Sequence, residues 1–295
     1  MMAGYHKAGM TAPATFELYA RDLPRHRSFL VAAGLAMALD YLERLRFAPE
    51  EIAHLRGLPP FRTIDARFFD EYLPAFRFTG DVWAVDEGTP VFPPAPLLRV
   101  TAPMPEAQFV ETALLTLLSF QTSVASRAAR MVEAAAGRPV IEFGSRRAHS
   151  LEAGVFAARA AALAGCQATS NVEAGRRYDI PVSGTMAHSW VTAFPDEMSA
   201  FREYSATFGE HATLLLDTYD TVTAARAVAK SGLRPRAVRL DSGNLADLSR
   251  QVRGILDAAG LGATTILVSG DLDEYRIADL VAHGAPIDGF GVGAA

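Results

Sequence analysis

Apolar and polar positions along this chain follow one pattern in the first hundred residues and another in the rest. "RSFLVAAGLAMALDYLERL" (27–45) places apolar residues at helical spacing with few breakers, which predicts an amphipathic helix. "PEEIAHL" follows it, opened by Pro49 with acids in its first turn, and predicts a second, short helix. From Phe76 to Val100 the sequence "FRFTGDVWAVDEGTPVFPPAPLLRV" breaks into β-type runs separated by Gly and Pro, as in a small antiparallel unit. The stretch from Met104 to Gly137 is helical throughout and predicts a bridge into a second unit.

From Arg138 onward short apolar runs recur: "RPVIEF", "DIPVSGT", "ATLLLD", "RAVRL", "TTILVS" and "PIDGFG". Amphipathic stretches such as "EAGVFAARAAALAG", "VTAARAVAKSG" and "LADLSRQVRGILDAAG" separate most of them. Strand alternating with helix predicts a parallel sheet with crossovers. The runs give six strands, with a further one near "GCQATSN", and their spacing suits a (β/α) barrel; an open doubly wound sheet is the alternative. "DIPVSGT" reads as a buried strand. The fold class is thus α/β, with an N-terminal α+β domain over 1–103 and a barrel domain over 104–295. With the barrel unclosed after Ala295, "PIDGFG" would be left as an unpaired edge.

Chemistry gathers where these runs end. "RPVIEF" leads into Arg146, Arg147 and His149, and "DIPVSGT" into His188. "ATLLLD" leads into Asp217 and Asp220, "RAVRL" into Asp241 and Ser242, and "TTILVS" into Gly270, Asp271 and Asp273. Each alone has a plain explanation: a lone histidine packs or caps, and "DSGN" or "GDLDE" before a helix is ordinary capping chemistry. Capping does not explain why arginines accompany these groups at one end of most strands, the end that carries active sites in α/β folds. Arginine forks match phosphate or carboxylate, Asp accepts from sugar hydroxyls, and glycine amides approach phosphates closely. The ring therefore points to a phosphorylated sugar substrate.

Composition narrows the picture. The 295 residues are 50% apolar with a formal net charge of −5, which gives a globular chain without a basic footprint, so no nucleic-acid partner is expected. The single cysteine, Cys166, fits a reducing cytosol and a cytoplasmic location. No run has the apolar length of a membrane span, and "MMAGYHKAGMTAPATFELYARDLP" lacks the apolar centre of a secretory signal, so no membrane association is expected. No pair among the 7 histidines lies at i, i+4, so no metal-ligand spacing is present. Neither GxGxxG nor GxxxxGK[ST] follows a strand, and "GTMAHSW" is not a GxSxG elbow.

Together, "FRFTGDVWAVDEGTPVFPPAPLLRVTAPMPEAQFVETALL", "EFGSRRAH", "TSNVEAGRRYDIPVSGTMAHSW", "LLLDTYDT", "VRLDSG", "SGDLDEYRIADL" and "APIDGFGVG" resemble the nicotinate phosphoribosyltransferases, in order and at similar spacing. The resemblance implies a type II phosphoribosyltransferase barrel, a homodimer, and formation of nicotinate mononucleotide from nicotinate and phosphoribosyl pyrophosphate with ATP hydrolysis, with Mg²⁺ accompanying both phosphorylated substrates. It implies that ATP phosphorylates His188, and that Phe143 stacks on the pyridine ring. Arg146 would face the nicotinate carboxylate, with Ser170 near the base. Arg239, Asp241 and the adjacent Ser242 would serve the ribose and reacting centre. Gly270 and Asp271 would contact ribose or phosphate, and Gly291 and Gly293 would offer amides to the 5′-phosphate.

Departures from the family pattern are the absence of a tyrosine-bearing N-terminal segment, an end at "GVGAA" where relatives continue, Ala294 in place of threonine and Asn244 in place of aspartate. They leave open a paralogue that keeps only binding or dimerisation. Nicotinamide or quinolinate as the base is a further alternative. A nicotinamide site would call for an acid near Ser170, which "ATSNV" does not offer.

Overall fold

The computed structural model describes residues 1–23, 25 and 27–293; Ala294 lies outside them. Contacts divide the chain into Met1–Ser126 and Arg127–Ala295. The division falls inside one continuous helix, so the bridge read from 104–137 belongs partly to each unit.

In the first unit α1 (Met2–Lys7) precedes β1 (Pro13–Tyr19) and β2 (Leu30–Val31). Then come α2 (Leu35–Arg44), α3 (Pro49–Gly57), a π-helical turn (Phe68–Tyr72) and α4 (Leu73–Ala75). β3 (Asp81–Ala84), β4 (Pro90–Val91), β5 (Pro96–Pro103), α5 (Met104–Phe109) and α6 (Glu111–Ala134) follow. The antiparallel unit read from 76–100 is present: β3 pairs with β5, and β5 also takes β1. The helix expected over 27–45 starts later. Leu30 and Val31 instead pair with Val91 and Pro90, and Gly34, at φ 101°, turns the chain into α2. Val31 N–H donates to Ser126 Oγ (2.8 Å) and Ala33 N–H to Thr122 Oγ1 (3.2 Å), so side chains of α6 hold the segment extended.

The second unit runs β6 (Val140–Glu142), α7 (Leu151–Leu163), β7 (Ala168–Thr169), α8 (Val172–Tyr178), α9 (His188–Thr192) and α10 (Glu197–Phe208). It continues with β8 (Thr213–Leu215), α11 (Thr221–Lys230), β9 (Ala237–Leu240), α12 (Leu245–Ala258), β10 (Thr265–Val268), α13 (Glu274–Ala282) and β11 (Gly289–Val292). All the pairings are parallel, in the order β7-β6-β11-β10-β9-β8. Apart from β7 and β8, each strand therefore neighbours its successor in the chain, and the last neighbours the first. Among the described residues the seam between β7 and β8 is unpaired, which makes this an irregular, curled barrel sheet. β11 is not an edge as expected: Gly289 and Phe290 pair with β10, and Phe290 to Val292 pair with β6.

"DIPVSGT" lies in this seam and is not a buried strand. Its one ladder contact is a bridge from Val182 to Thr169, and Val182 is 53% exposed. Apolar content here was a poor guide to burial. The other runs are buried as expected: Leu214, Leu215, Val238, Leu240, Ile266, Val268 and Phe290 are sealed against α11, α12 and α13 through Ala224, Val228, Val252, Leu256 and Ile277. Asp220, Asn244 and Asp273 accept backbone N–H bonds from Thr223, Asp247 and Arg276. The plain capping explanation holds for these three, and it accounts for Asn244.

Candidate functional site

The carboxyl ends of β6, β9, β10 and β11 enclose a cavity of about 290 Å³ whose lining includes Phe143, Arg146, Arg239, Asp241, Gly270, Asp271, Gly291 and Gly293. Ten of the residues singled out by sequence, these eight with Arg147 and Asp273, thus meet in one place, although they span most of the second unit. The short loops after each strand do this, because parallel strands deliver all their exits to one side.

A rigid polar network crosses the floor. Arg239 projects from β9; its Nε donates to Ser269 Oγ (2.7 Å), Nη1 to Thr185 Oγ1 (2.7 Å) and Nη2 to Asp241 Oδ1 (2.6 Å). Ser269 donates in turn to Asp241 Oδ1 (2.5 Å). The guanidinium stands 5.6 Å from the centre of the Phe143 ring, a cation–π distance. Three of its five N–H groups are fixed, so its plane is set before any ligand arrives. Burial pushes the Asp241 carboxyl up, but the Ser269 hydrogen bond, the Arg239 charge and His188 outweigh it and hold the group below the usual aspartate range. Asp241 is therefore ionised at neutral pH.

His188 is the first residue of α9 and its side chain is 47% exposed, so it is not a packed core histidine. Its Nδ1 lies 3.2 Å from Thr218 Oγ1 and its Nε2 3.8 Å from Asp241 Oδ2. Thr218 anchors one nitrogen and leaves the other facing the network. Beside it Ser242 donates to Asp217 Oδ2 (2.5 Å), while Asp217 Oδ1 is buried without a partner.

The glycines separate by physical reason. Gly270 has φ 90°, and a Cβ there would lie 1.9 Å from the Asp241 carbonyl oxygen, so only glycine lets β10 exit against β9. Asp271 follows at φ 46° and pairs with Arg147 (2.9 Å). A Cβ at Gly291 would meet the Phe143 ring at 2.6 Å, which gives this glycine a packing role. A Cβ at Gly293 would meet nothing closer than 3.9 Å, so packing does not require glycine there.

Ser170 and Ser242 do not line the cavity. Ser170 is exposed at the end of β7, and its N–H donates to the Glu142 carbonyl (2.9 Å). His149 is also outside. Thr185, Thr218, Ser269, Arg127 and Glu142 were missed by the sequence reading. Glu142 is 4% exposed; its carboxylate accepts from Thr169 Oγ1 (2.6 Å) and from the Gly144 N–H. Burial raises its pKa, and these two bonds counter the rise only in part. Both oxygens are engaged, so this acid orients the "GSRR" turn and is not presented to a ligand amide. Cys166 has its thiol pushed up to about 12, by burial first and by Glu142 second, and is inert.

Among the described residues no group of three or more His, Cys, Asp or Glu could hold a metal; Asp217 Oδ1 and Glu197 Oε1 are buried carboxylate oxygens without a hydrogen-bond partner.

The fold is that of the type II phosphoribosyltransferases. The chain superimposes on human nicotinic acid phosphoribosyltransferase with a TM-score of 0.89 at 31% identity, covering 99% of this chain and 71% of that one. It also matches nicotinate-nucleotide pyrophosphorylase from Pyrococcus furiosus with a TM-score of 0.81 at 26% identity, covering 99% and 68%. The family model for the nicotinate phosphoribosyltransferase N-terminal domain matches residues 1–119, and that for the nicotinate phosphoribosyltransferase family matches 139–294. The chain belongs to the nicotinate phosphoribosyltransferase family. A nicotinate phosphoribosyltransferase of Mycobacterium tuberculosis is 46% identical over 99% of this chain, and one of Bacillus subtilis 43% over 95%. The chain spans 64% and 58% of the lengths of these two relatives.

A titration prediction arises beside the site. Glu197, at the start of α10, has an Oε1 that is buried without a partner, and its carboxyl is pushed up to about 7 by burial and by the charges of Asp220 and Asp217. Its folded pKa exceeds the unfolded value. The folded state therefore binds the extra proton, and stability falls as pH rises from the ordinary glutamate range through about 7. Because the side chain is partly solvated, the effect is on the order of 1 kcal/mol. Urea unfolding at pH 5.5 and 8 should show it, and Glu197→Gln should flatten it. Equal slopes in the variant and the parent would contradict this.

Proposed function

We propose that this chain carries out nicotinate phosphoribosyl transfer, as a homodimer in the cytosol. The single observation that carries the reading is the Arg239–Asp241–Ser269 network on the floor of an arginine-lined strand-end cavity, with His188 Nε2 3.8 Å from Asp241 Oδ2. The pyridine nitrogen of nicotinate forms a bond to C1 of phosphoribosyl pyrophosphate, the C1–O bond breaks, and pyrophosphate leaves with the electron pair. No proton is transferred, so the site needs charge and positioning more than a base. Asp241 Oδ1 is tied to Arg239 and Ser269, and Oδ2 is left to a ribose hydroxyl and to the positive charge developing at C1. Phe143 stacks on the base, and Arg146 pairs with its carboxylate. Mg²⁺ accompanies the diphosphate and offsets its charge. ATP transfers its γ-phosphoryl group to Nε2 of His188, releasing ADP, and hydrolysis of the phosphohistidine restores the imidazole.

Nicotinate is favoured over nicotinamide because Glu142, whose backbone carbonyl accepts from the Ser170 N–H, already has both carboxylate oxygens in hydrogen bonds. The test is a titration of both bases. Nicotinate should bind more tightly than nicotinamide, and Arg146→Ala should remove that preference at a cost of about 1.5–3 kcal/mol for nicotinate alone. Unchanged nicotinate affinity in the variant would remove Arg146 from the base site.

A further inference from the structure

The cavity is lined by four arginines, and they are not equivalent. Arg239 is paired with Asp241 and Arg147 with Asp271. Asp273, the third acid in the lining, is occupied as the cap of α13. Arg127 and Arg146 have no hydrogen-bond or ion-pair partner among the described residues, and Nε of Arg127 is buried without one. A buried N–H left unsatisfied is costly and rare. Arg127 also stands on α6, where Ala128 and Met131 beside it are locked into the core of the second unit, so its backbone is rigidly held.

We infer that Arg127 binds the 5′-phosphate of the sugar substrate. The inference rests on the reading above, in which Arg146 is assigned to the nicotinate carboxylate. Once that anion is matched, the remaining unpaired guanidinium in the same cavity calls for a second one. The phosphate is a dianion with three acceptor oxygens, which a guanidinium meets in a forked geometry. Gly293 lines the same cavity, and packing does not account for its missing side chain. Its backbone is therefore open to the same oxygens.

The test uses the full chain and three probes: nicotinate mononucleotide, its dephosphorylated nucleoside, and inorganic phosphate. In Arg127→Gln the mononucleotide Kd should rise ten- to a hundredfold while the nucleoside Kd stays within twofold, with partial recovery in Arg127→Lys. The ligand-free melting temperature should not fall, because the side chain has no partner to lose. Inorganic phosphate should raise the melting temperature of the parent and not of Arg127→Gln, and this arm stands whichever base the site accepts. Failure of the parent to bind mononucleotide and nucleoside, with phosphate stabilisation intact and dependent on Arg127, would overturn the nicotinate reading and keep the anion site. A mononucleotide Kd unchanged in Arg127→Gln, equal weakening of mononucleotide and nucleoside, or no phosphate effect in the parent would each overturn the inference.

Discussion

Asp241→Asn should lower kcat/KM for phosphoribosyl transfer by about a hundred- to a thousandfold and leave the fold in place. The substitution keeps the shape of the side chain and removes its charge. Asn can still accept one hydrogen bond through its carbonyl, so the Ser269 and Arg239 contacts are weakened more than lost. In the proposed reaction the charge is what C1 requires as the pyrophosphate leaves. Arg239 would also lose its counter-ion while 17% exposed, and would add uncompensated positive charge beside a centre that becomes positive. Steady-state kinetics with circular dichroism and thermal melts separate the two effects. A loss of less than tenfold in a well-folded variant would show that Asp241 does not face the reacting centre.

His188→Asn should abolish stimulation of transfer by ATP while slow, ATP-independent transfer survives. The side chain is 47% exposed, and a 3.2 Å contact with Thr218 is its hydrogen bond, so little stability is at stake. Neutral imidazole is nucleophilic at physiological pH, and Thr218 on Nδ1 leaves Nε2 available. Incubation with γ-labelled ATP should leave a base-stable, acid-labile label on the parent and none on the variant. ATP stimulation that persists in His188→Asn would return this histidine to a structural role.

Much of the second unit could be read from sequence because its strands are short, mainly apolar and largely buried. Leu214 to Leu216, with Ile266 and Val268, are fully buried, as such runs in a covered parallel sheet should be. Their polar exits then collected the cavity residues. "DIPVSGT" misled because apolar residues were equated with burial, whereas Val182 only bridges β7 from an exposed seam. β1 was missed because it exists through pairing with β5, with Glu17 opposite Arg99, and such distant pairing leaves little local mark. Thr185, Thr218 and Ser269 are ordinary hydroxyls whose meaning is the side chain they hold. Arg127 looked like any polar residue on a helix until the fold turned it into a cavity. The unit division falls within α6, where helical periodicity carries no signal of a boundary.

The most direct measurement is chromatographic separation of the products after incubating the protein with nicotinate, phosphoribosyl pyrophosphate, ATP and Mg²⁺. The account predicts nicotinate mononucleotide and pyrophosphate in equal amounts, little product from nicotinamide or quinolinate, and near-complete loss in Asp241→Asn. Absence of nicotinate mononucleotide from a folded preparation that binds both substrates, or its undiminished formation by Asp241→Asn, would contradict it.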